Sequence, residues 1–262
     1  MSGGSIHVQT LGAVAYLTVS NPAKLNAMTR SMWTALRDAV LALDEIASVR
    51  VLVLGGEGTK AFVSGADVSE FGAQRAAAES AADYDAAVLS AQRALQVCSK
   101  PTIARLDGIC FGGGLGLALA CDLRYASSVA TFRMPAARLG LGYAYEAMEQ
   151  LVHALGAPRA LELFLTARKF DAMEARRIGV VHDVFQDESF AAEFDAVVEA
   201  VGSNAPLTMR AAKAAIRGVV IPQKPGQRAS IDALVRACFA SSDYREGQQA
   251  FRERRPPRFA GA

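Results

Sequence analysis

Two glycine-containing segments of this 262-residue chain are suited to stabilising negative charge. Residues 112–114 are three glycines before an apolar run, and residues 64–67 read Ser-Gly-Ala-Asp after a predicted strand. Glycine lets the backbone approach a ligand closely, and a helix start directs its N–H groups outward. Donors from two such loops can converge on one oxygen, where each contributes about 3 kcal/mol to stabilising an oxyanion. The residues equally allow the plainer interpretation that both clusters serve tight turns.

The glycine-rich segments do not match a nucleotide-binding loop. Gly114 and Gly116 are followed by Leu119, where the dinucleotide fingerprint requires glycine or alanine, and no acidic residue lies at the ribose distance. Residues 55–61 lack the Gly-Lys-Ser/Thr sequence of a P-loop. Both nucleotide interpretations are therefore rejected.

Neither metal nor disulfide chemistry is indicated by the cysteines and histidines. Cys98, Cys110, Cys121 and Cys238 are scattered without a CxxC pair, and none of the three histidines stands at metal-ligand spacing from them. We expect buried thiols in a reducing compartment and no bound metal.

Charge and hydropathy exclude several classes of partner. The 28 basic and 26 acidic residues give a net charge of +2, without the basic stripe of a nucleic-acid-binding protein. The first ten residues lack the features of a signal peptide, and the longest apolar run, 109–121, is shorter than the ~20 residues of a membrane span. We expect a cytoplasmic protein that binds neither nucleic acid nor membrane.

Alternating strand and helix patterns must position the glycine segments. The pattern predicts a hairpin over 5–19, a helix over 30–46 capped by Thr29, a buried strand over 51–56 and a helix over 76–98. Further predicted strands are 101–108, 122–127, 130–134 and 180–185; predicted helices are 144–155, 158–166 and 171–178. From about 189 only helices follow, broken at Pro206 and near 222–225. The fold class is therefore α/β with a C-terminal helical subdomain.

Five segments together resemble the crotonase, or enoyl-CoA hydratase/isomerase, superfamily. They are residues 21–28, 61–71, 100–127, 165–184 and 241–259, which read NPAKLNAM, AFVSGADVSEF, KPTIARLDGICFGGGLGLALACDLRYAS, LTARKFDAMEARRIGVVHDV and SSDYREGQQAFRERRPPRF. The resemblance implies a crotonase-like spiral core of ββα turns over residues 1–190. It also implies that residues 191–262 form a helical trimerisation subdomain, giving a homotrimer or a dimer of trimers.

The resemblance further implies a binding site for an acyl-CoA thioester. The thioester carbonyl would lie between the backbone N–H groups of Ala66 and Gly113, which would stabilise an enolate oxyanion. Coenzyme A, as part of the substrate rather than as a cofactor, would contact Ala23, Lys24, Leu25, Ala61, Val63, Ser64, Asp67 and Val68. Phe251 and Arg254 would reach the coenzyme A of a neighbouring subunit, where arginine suits phosphate.

The chain departs from the hydratases where their chemistry needs acids. The two hydratase glutamates align with Gly116 and Ala136, and the acidic position of some dienoyl-CoA isomerases aligns with Ala144. None of these residues can transfer a proton. Hydration by the two-glutamate route is therefore not expected.

Tyr143 falls where the methylmalonyl-CoA decarboxylases of the superfamily carry a tyrosine, although those enzymes have histidine at the position of Ala66. Loss of CO₂ forms an enolate without a general base, so a site without carboxylates suits it. Packing in the core is the alternative role for Tyr143. Glu146 is a further candidate acid, with a solvent-facing or capping role as its alternative, and a structural role is expected for Asp67.

Three functions follow from these residues. The favoured one is an acyl-CoA lyase, specifically a decarboxylase, acting through an enolate held by Ala66 and Gly113. The second is an enoyl-CoA hydratase or isomerase that uses an atypical acid such as Glu146 or Tyr143. The third is a non-catalytic protein that binds a CoA thioester.

Overall fold

The strands form two sheets within residues 4–67, 78–220 and 226–262, which the computed structural model describes. The strands are β1 (Ser5–Leu11), β2 (Val14–Ser20), β3 (Val51–Gly56), β4 (Ala61–Val63), β5 (Thr102–Leu106), β6 (Ile109–Phe111), β7 (Leu123–Ser127), β8 (Thr131–Arg133), β9 (Lys169–Asp171) and β10 (Asp183–Phe185). The helices are α1 (Arg30–Glu45), α2 (Ala78–Val97), α3 (Gly113–Ala120), α4 (Ala136–Leu139), α5 (Tyr145–Thr166), α6 (Ala172–Arg177), α7 (Phe190–Gly202), α8 (Pro206–Val220), α9 (Gln227–Ala240) and α10 (Ser242–Glu253).

The first sheet has the strand order β1-β2-β3-β5-β7-β10. β1 and β2 form the predicted antiparallel hairpin, which turns at Gly12 with a φ of 58°. The remaining neighbours are parallel. Residues 51–54 of β3 are all buried, as expected for a strand covered on both faces.

The second sheet has the order β4-β6-β8-β9, with β4, β6 and β8 parallel and β9 antiparallel. Along the chain, β3 and β4 precede α2, β5 and β6 precede α3, and β7 and β8 precede α4. Each pair thus contributes one strand to each sheet before a helix follows. This repetition is the predicted ββα core.

Local capping signals identify two helices correctly. The Thr29 side chain accepts a hydrogen bond from the Met32 N–H at 3.3 Å, and α1 buries the apolar face that the sequence predicts. Asp171 caps α6 in the same way, accepting from the Glu174 N–H at 2.8 Å. The two helices predicted at 144–155 and 158–166 are the two halves of α5, which is kinked at Gly156 with a φ of 73°.

The strand predicted over 180–185 is shorter than expected, because only Asp183–Phe185 pairs with β7. Gly179 takes a φ of 83°, and the Val180 N–H donates to the Ala175 carbonyl. These backbone groups close the end of α6 and are therefore unavailable to the sheet. The apolar residues at 180 and 181 are buried as predicted, but in a turn.

The helical part of the chain begins against the core. Phe190, Phe194 and Val198 of α7 pack on Val51 and Val53 of β3 and so cover the outer face of the first sheet. α8 begins at Pro206 as predicted, whereas the break expected near 222–225 lies outside the described residues. Trimerisation through residues 191–262 stays a prediction.

The cysteines are free thiols, three of which are buried. Burial raises the pKa of Cys98 to about 11 and that of Cys121 to about 12, so neither thiol is a thiolate at neutral pH. In the described ranges, no helix is long and apolar enough to cross a membrane. The same ranges contain no group of three or more His, Cys, Asp or Glu side chains that could hold a metal ion.

The loop over residues 21–28 is fastened to β4 by Asn26, which is 1% exposed and has a left-handed φ of 57°. Its Nδ2 donates to the carbonyls of Ala61 at 2.7 Å and Glu57 at 3.1 Å. Its Oδ1 accepts from the Asn21 N–H at 3.1 Å. One side chain thus satisfies three backbone groups of two segments.

Helix α3 begins in close contact with β4. A Cβ atom at Gly114 would overlap the Val63 carbonyl oxygen and lie 2.8 Å from the Val63 Cβ. At Gly116 an added Cβ would instead lie 2.6 Å from Nε2 of Gln92, the end of a flexible side chain. A side chain at 114 would therefore clash with the backbone of β4, whereas a side chain at 116 would clash only with a side chain that can move.

Replacing Asn26 with alanine should lower the free energy of unfolding by about 2–4 kcal/mol, because three backbone groups lose their partner in one buried and two partly buried hydrogen bonds. Urea denaturation followed by circular dichroism measures this change. Asn204→Ala is the matched control, since Asn204 is exposed just beyond the end of α7 and its side chain donates to the Ala200 carbonyl of that helix. Equal effects of the two substitutions would contradict the role of Asn26.

Gly114→Ala should destabilise the protein by about 2 kcal/mol or more relative to Gly116→Ala, because Val63 cannot yield without moving the sheet. The same denaturation experiment compares the two variants, which make the same substitution in one helix. Indistinguishable unfolding midpoints and slopes would show that α3 does not need its close approach to β4.

Candidate active site

A cavity of about 170 Å³ lies where the N-terminus of α3 meets the loop after β4. Helix α2 and residues 134–151 form the other walls. The single tryptophan, Trp33, closes the cavity from α1 and is fully buried. Both predicted oxyanion donors, Ala66 and Gly113, line this one cavity.

Backbone pairing sets the orientation of Ala66. The Met28 N–H donates to the Gly65 carbonyl at 2.8 Å, and the Asp67 N–H donates to the Met28 carbonyl at 2.8 Å. Groups on an extended chain alternate in direction, so the Ala66 N–H faces away from Met28. Gly65 allows this course with a φ of 121°.

Gly113 is the first residue of α3. The Gly112 N–H before it donates to the Arg133 carbonyl at 2.9 Å, and the first helical hydrogen bond runs from the Gly116 N–H to the Gly112 carbonyl. The N–H of Gly113 therefore has no acceptor within its helix and lies at the positive end of the helix dipole. Ala66 lines the same cavity as Gly113. Binding of one ligand oxygen by both N–H groups stays a prediction.

The three positions that the family resemblance aligns with the acids of hydratases and dienoyl-CoA isomerases lie in the cavity wall. Gly116, Ala136 and Ala144 all line it. Among the described lining residues, the one carboxylate is that of Asp85 on α2. The polar side chains that accompany it are those of Ser64, Tyr84, Gln92, Tyr143 and Gln150.

Tyr143 both packs against the core and lines the cavity. Its ring packs edge-on against Phe164, with the centroids 5.3 Å apart. Its hydroxyl oxygen lies 3.9 Å from the point where a Cβ on Gly112 would stand. The ring is thus held by the core while the hydroxyl lies beside the first turn of α3.

A buried hydrogen-bond chain connects the walls. Trp33 Nε1 donates to the Tyr84 hydroxyl at 2.9 Å, and that hydroxyl donates to the Met28 carbonyl at 3.0 Å. Met28 is the residue that pairs with the loop containing Ala66. Helices α1 and α2 therefore help to fix the position of that loop.

Two predicted acids lie away from the centre of the cavity. Glu146 is exposed in the first turn of α5 and is not among the described residues that line the cavity. Asp67 is buried and forms an ion pair with Lys24, with Nζ and Oδ2 separated by 2.6 Å. This ion pair joins loop 21–28 to loop 64–67.

The residues predicted to contact coenzyme A lie around the same two loops. Ala23 and Lys24 are in a short 3₁₀ turn, and Leu25 follows it with a φ of 52°. Ala61 and Val63 have buried side chains, which leaves only their backbone to a ligand. The Ser64 hydroxyl donates to the Lys24 carbonyl at 3.2 Å and closes the two loops together, whereas Val68 lies outside the described residues.

Phe251 and Arg254 lie at the end of α10 and do not line the cavity. Phe251 is 86% exposed, and Arg254 takes a left-handed φ of 55° as it ends the helix. Their predicted contact is with another subunit, so it stays a prediction.

Three polar residues of the cavity were not predicted from the sequence: Asp85, Gln92 and Gln150. Asp85, Val88, Leu89 and Gln92 recur at the helical spacing of one face of α2, and all four line the cavity. This periodicity was the available signal. The many alanines of the segment obscure it, because alanine suits either face of a helix.

Comparison with known proteins agrees with this geometry. The profile of the enoyl-CoA hydratase/isomerase family matches residues 9–262. The chain is 32% identical to a crotonyl-CoA hydratase of Syntrophomonas wolfei over 94% of both chains. It is 31% identical to a peroxisomal Delta(3,5)-Delta(2,4)-dienoyl-CoA isomerase of Arabidopsis thaliana, over 97% of this chain and 95% of that protein.

A solved structure, an enoyl-CoA hydratase/carnithine racemase from Magnetospirillum magneticum, superimposes with a TM-score of 0.94 at 36% identity. The alignment covers 100% of this chain and 97% of that one. Sequence and fold therefore agree over the whole length, and the chain belongs to the enoyl-CoA hydratase/isomerase family.

Proposed function

We propose that the protein is an acyl-CoA lyase that decarboxylates a malonyl-type thioester through an enolate. One observation carries this proposal. The cavity is lined by Ala66 and Gly113, whose N–H groups are the proposed donors, and by glycine or alanine at the three positions that the family resemblance aligns with acids. Decarboxylation needs the donors and does not need those acids.

The reaction can be written with the residues at hand. The thioester oxygen accepts hydrogen bonds from the N–H groups of Ala66 and Gly113. The bond between C2 and the carboxylate carbon breaks, CO₂ leaves, and the electron pair moves into an enolate whose oxygen those donors stabilise. A proton from solvent, passed by the Tyr143 hydroxyl, then returns to C2 and completes the acyl-CoA product.

The apolar wall favours the same step. A carboxylate loses hydration when it enters a cavity lined by residues such as Leu119 and Leu151, whereas CO₂ is neutral and does not need that hydration. The enolate keeps its negative charge at the oxygen, where the two N–H donors lie. Burial therefore destabilises the negative charge on the substrate carboxylate relative to the negative charge on the enolate oxygen.

Coenzyme A would lie along the loops that contain Lys24 and Ser64, outside the cavity. Arg254 of a neighbouring subunit would add a phosphate contact in a homotrimer or a dimer of trimers. The ion pair of Lys24 with Asp67 holds the ammonium group at the surface, where its side chain is 48% exposed.

The purified protein should release CO₂ from malonyl-CoA or methylmalonyl-CoA, detected as loss of the substrate mass by mass spectrometry. Tyr143→Phe keeps the ring packing and should lower kcat about 100-fold with little change in KM, because it removes the proton relay. Tyr145→Phe is the control, since Tyr145 is 78% exposed. Failure to release CO₂ from both substrates would refute decarboxylation.

A second candidate function is hydration or isomerisation of an enoyl-CoA with Asp85 as the acid or base. Its support is that Asp85, although exposed, lines the cavity, whereas the equally exposed Glu146 does not. The named relatives include a crotonyl-CoA hydratase and a dienoyl-CoA isomerase. A single carboxylate suits isomerisation better than hydration, which uses one group for water and one for the α-proton.

On this alternative, Asp85→Asn should lower turnover of crotonyl-CoA or a dienoyl-CoA about 100-fold, because the amide cannot transfer a proton. Hydration is measured as the loss of absorbance by the double bond conjugated with the thioester. Isomerisation is measured as a shift in the wavelength of that absorbance. Asp83→Asn is the control on the same helix, since Asp83 is exposed and pairs with Arg30. Turnover that survives Asp85→Asn would exclude this residue as the acid or base.

A further inference from the structure

The amide of Gln92 is an unexplained feature of the cavity. Gln92 projects from α2, is 4% exposed and lines the cavity wall. In the described parts of the chain, its Oε1 is the buried side-chain oxygen without a hydrogen-bond partner. A buried polar atom without a partner is costly and uncommon, so a ligand that completes the amide is a physical explanation for it.

The amide lies against α3, on the side where the thioester would bind. Its Nε2 is 2.6 Å from the point where a Cβ on Gly116 would stand, and its Cδ is 3.6 Å from that point. Gly116 follows Gly113 by one helical turn on the same face, which separates the two positions by about 5 Å. The side chain of Gln92 therefore takes up space that an acidic side chain at 116 would need.

Gln150 does not replace Gln92 as the group available to a ligand. Its Nε2 donates to the Gly116 carbonyl at 2.6 Å. That hydrogen bond joins α5 to α3 and satisfies the carbonyl next to the Gln92 amide. Of the two glutamines, Gln92 is the one whose amide keeps an unsatisfied atom.

The chemistry of an amide restricts what it can recognise. Gln92 offers N–H donors and a carbonyl acceptor, which exchange places when the amide rotates by half a turn. Leu89, Leu119 and Leu151 surround the same space and favour a hydrocarbon chain. A purely hydrocarbon acyl group fills this space but leaves the amide desolvated and unsatisfied.

We infer that Gln92 binds an oxygen on the third carbon of the acyl group, either a ketone or a carboxylate, and so selects 3-oxygenated acyl-CoA thioesters. The inference rests on the proposed binding of the thioester carbonyl by Ala66 and Gly113. The oxygen on C3 is four bonds from the thioester oxygen, a span on the order of the one-turn step of about 5 Å from Gly113 to Gly116. A neutral amide also holds a carboxylate without a positive charge that would oppose loss of CO₂.

The test measures binding through the fluorescence of Trp33, which is the only tryptophan and lines the cavity. Stopped-flow mixing with acetoacetyl-CoA, butyryl-CoA and malonyl-CoA gives each affinity before turnover. Acetoacetyl and butyryl groups have the same number of carbons and differ only in the oxygen on C3. Malonyl-CoA carries a carboxylate there instead of a ketone.

The wild type should bind at least one of the oxygenated ligands about tenfold more tightly than butyryl-CoA, as expected for a buried hydrogen bond. Gln92→Leu should abolish that preference and leave the butyryl-CoA affinity within about twofold of wild type, which also reports an intact fold. Gln96→Leu, the same substitution one turn along α2 and outside the cavity, should keep the preference. Preference for malonyl-CoA alone identifies a carboxylate ligand, and preference for acetoacetyl-CoA alone a ketone.

Gln92→Glu keeps the size of the side chain and should weaken malonyl-CoA more than acetoacetyl-CoA by charge repulsion. A wild type without preference for either oxygenated ligand, or a preference that survives Gln92→Leu, would overturn the inference. Failure of decarboxylation with the Gln92-dependent preference intact would count against the proposed function alone. Decarboxylation without the preference would count against the role of Gln92 alone.

Discussion

The separation between helix α3 and strand β4 is the constraint on which the rest of the site depends. Gly114 allows the first turn of the helix to lie against the Val63 backbone with no side chain between them. Only at this separation can the N–H of Gly113 and the loop that follows β4 share one small cavity. The helix itself is buried nearly all round, so the contact is fixed by the core as well as by the glycine.

The loop opposite α3 is fixed by a different set of interactions. Asn26 holds loop 21–28 to β4, and Met28 then pairs with residues 65–67 through its backbone. Tyr84 accepts from Trp33 and donates to Met28, which connects the same point to two helices. The direction of the Ala66 N–H is therefore set by backbone pairing and buried side chains, and no exposed side chain is needed to maintain it. Such preorganisation is what makes an oxyanion hole effective.

Local signals in the sequence predicted most of the fold, and long-range packing determined the rest. Thr29 and Asp171 identified helix starts because caps are local, and Gly12 identified the hairpin. Residues 180 and 181 were misassigned because the apolar pattern does not distinguish a buried strand from a buried turn that closes a helix. The periodicity of α2 could have placed Gln92 on the cavity face, but its position against Gly116 comes from the packing of a different helix and is not a local signal.

The absence of an acid at Gly116 and the presence of an amide at Gln92 are two aspects of one packing arrangement. An acidic side chain at 116 would need the space that Gln92 fills, so the two cannot coexist without movement of α2 or of the glutamine. Exchange of an ionisable group for an amide keeps hydrogen-bonding capacity and removes proton transfer. The wall can then orient an oxygenated acyl group but cannot protonate or deprotonate it there. On the proposed function the enolate would come from bond cleavage, and on the alternative from proton removal by Asp85 elsewhere in the wall. The predicted N–H donors of Ala66 and Gly113 would serve either route.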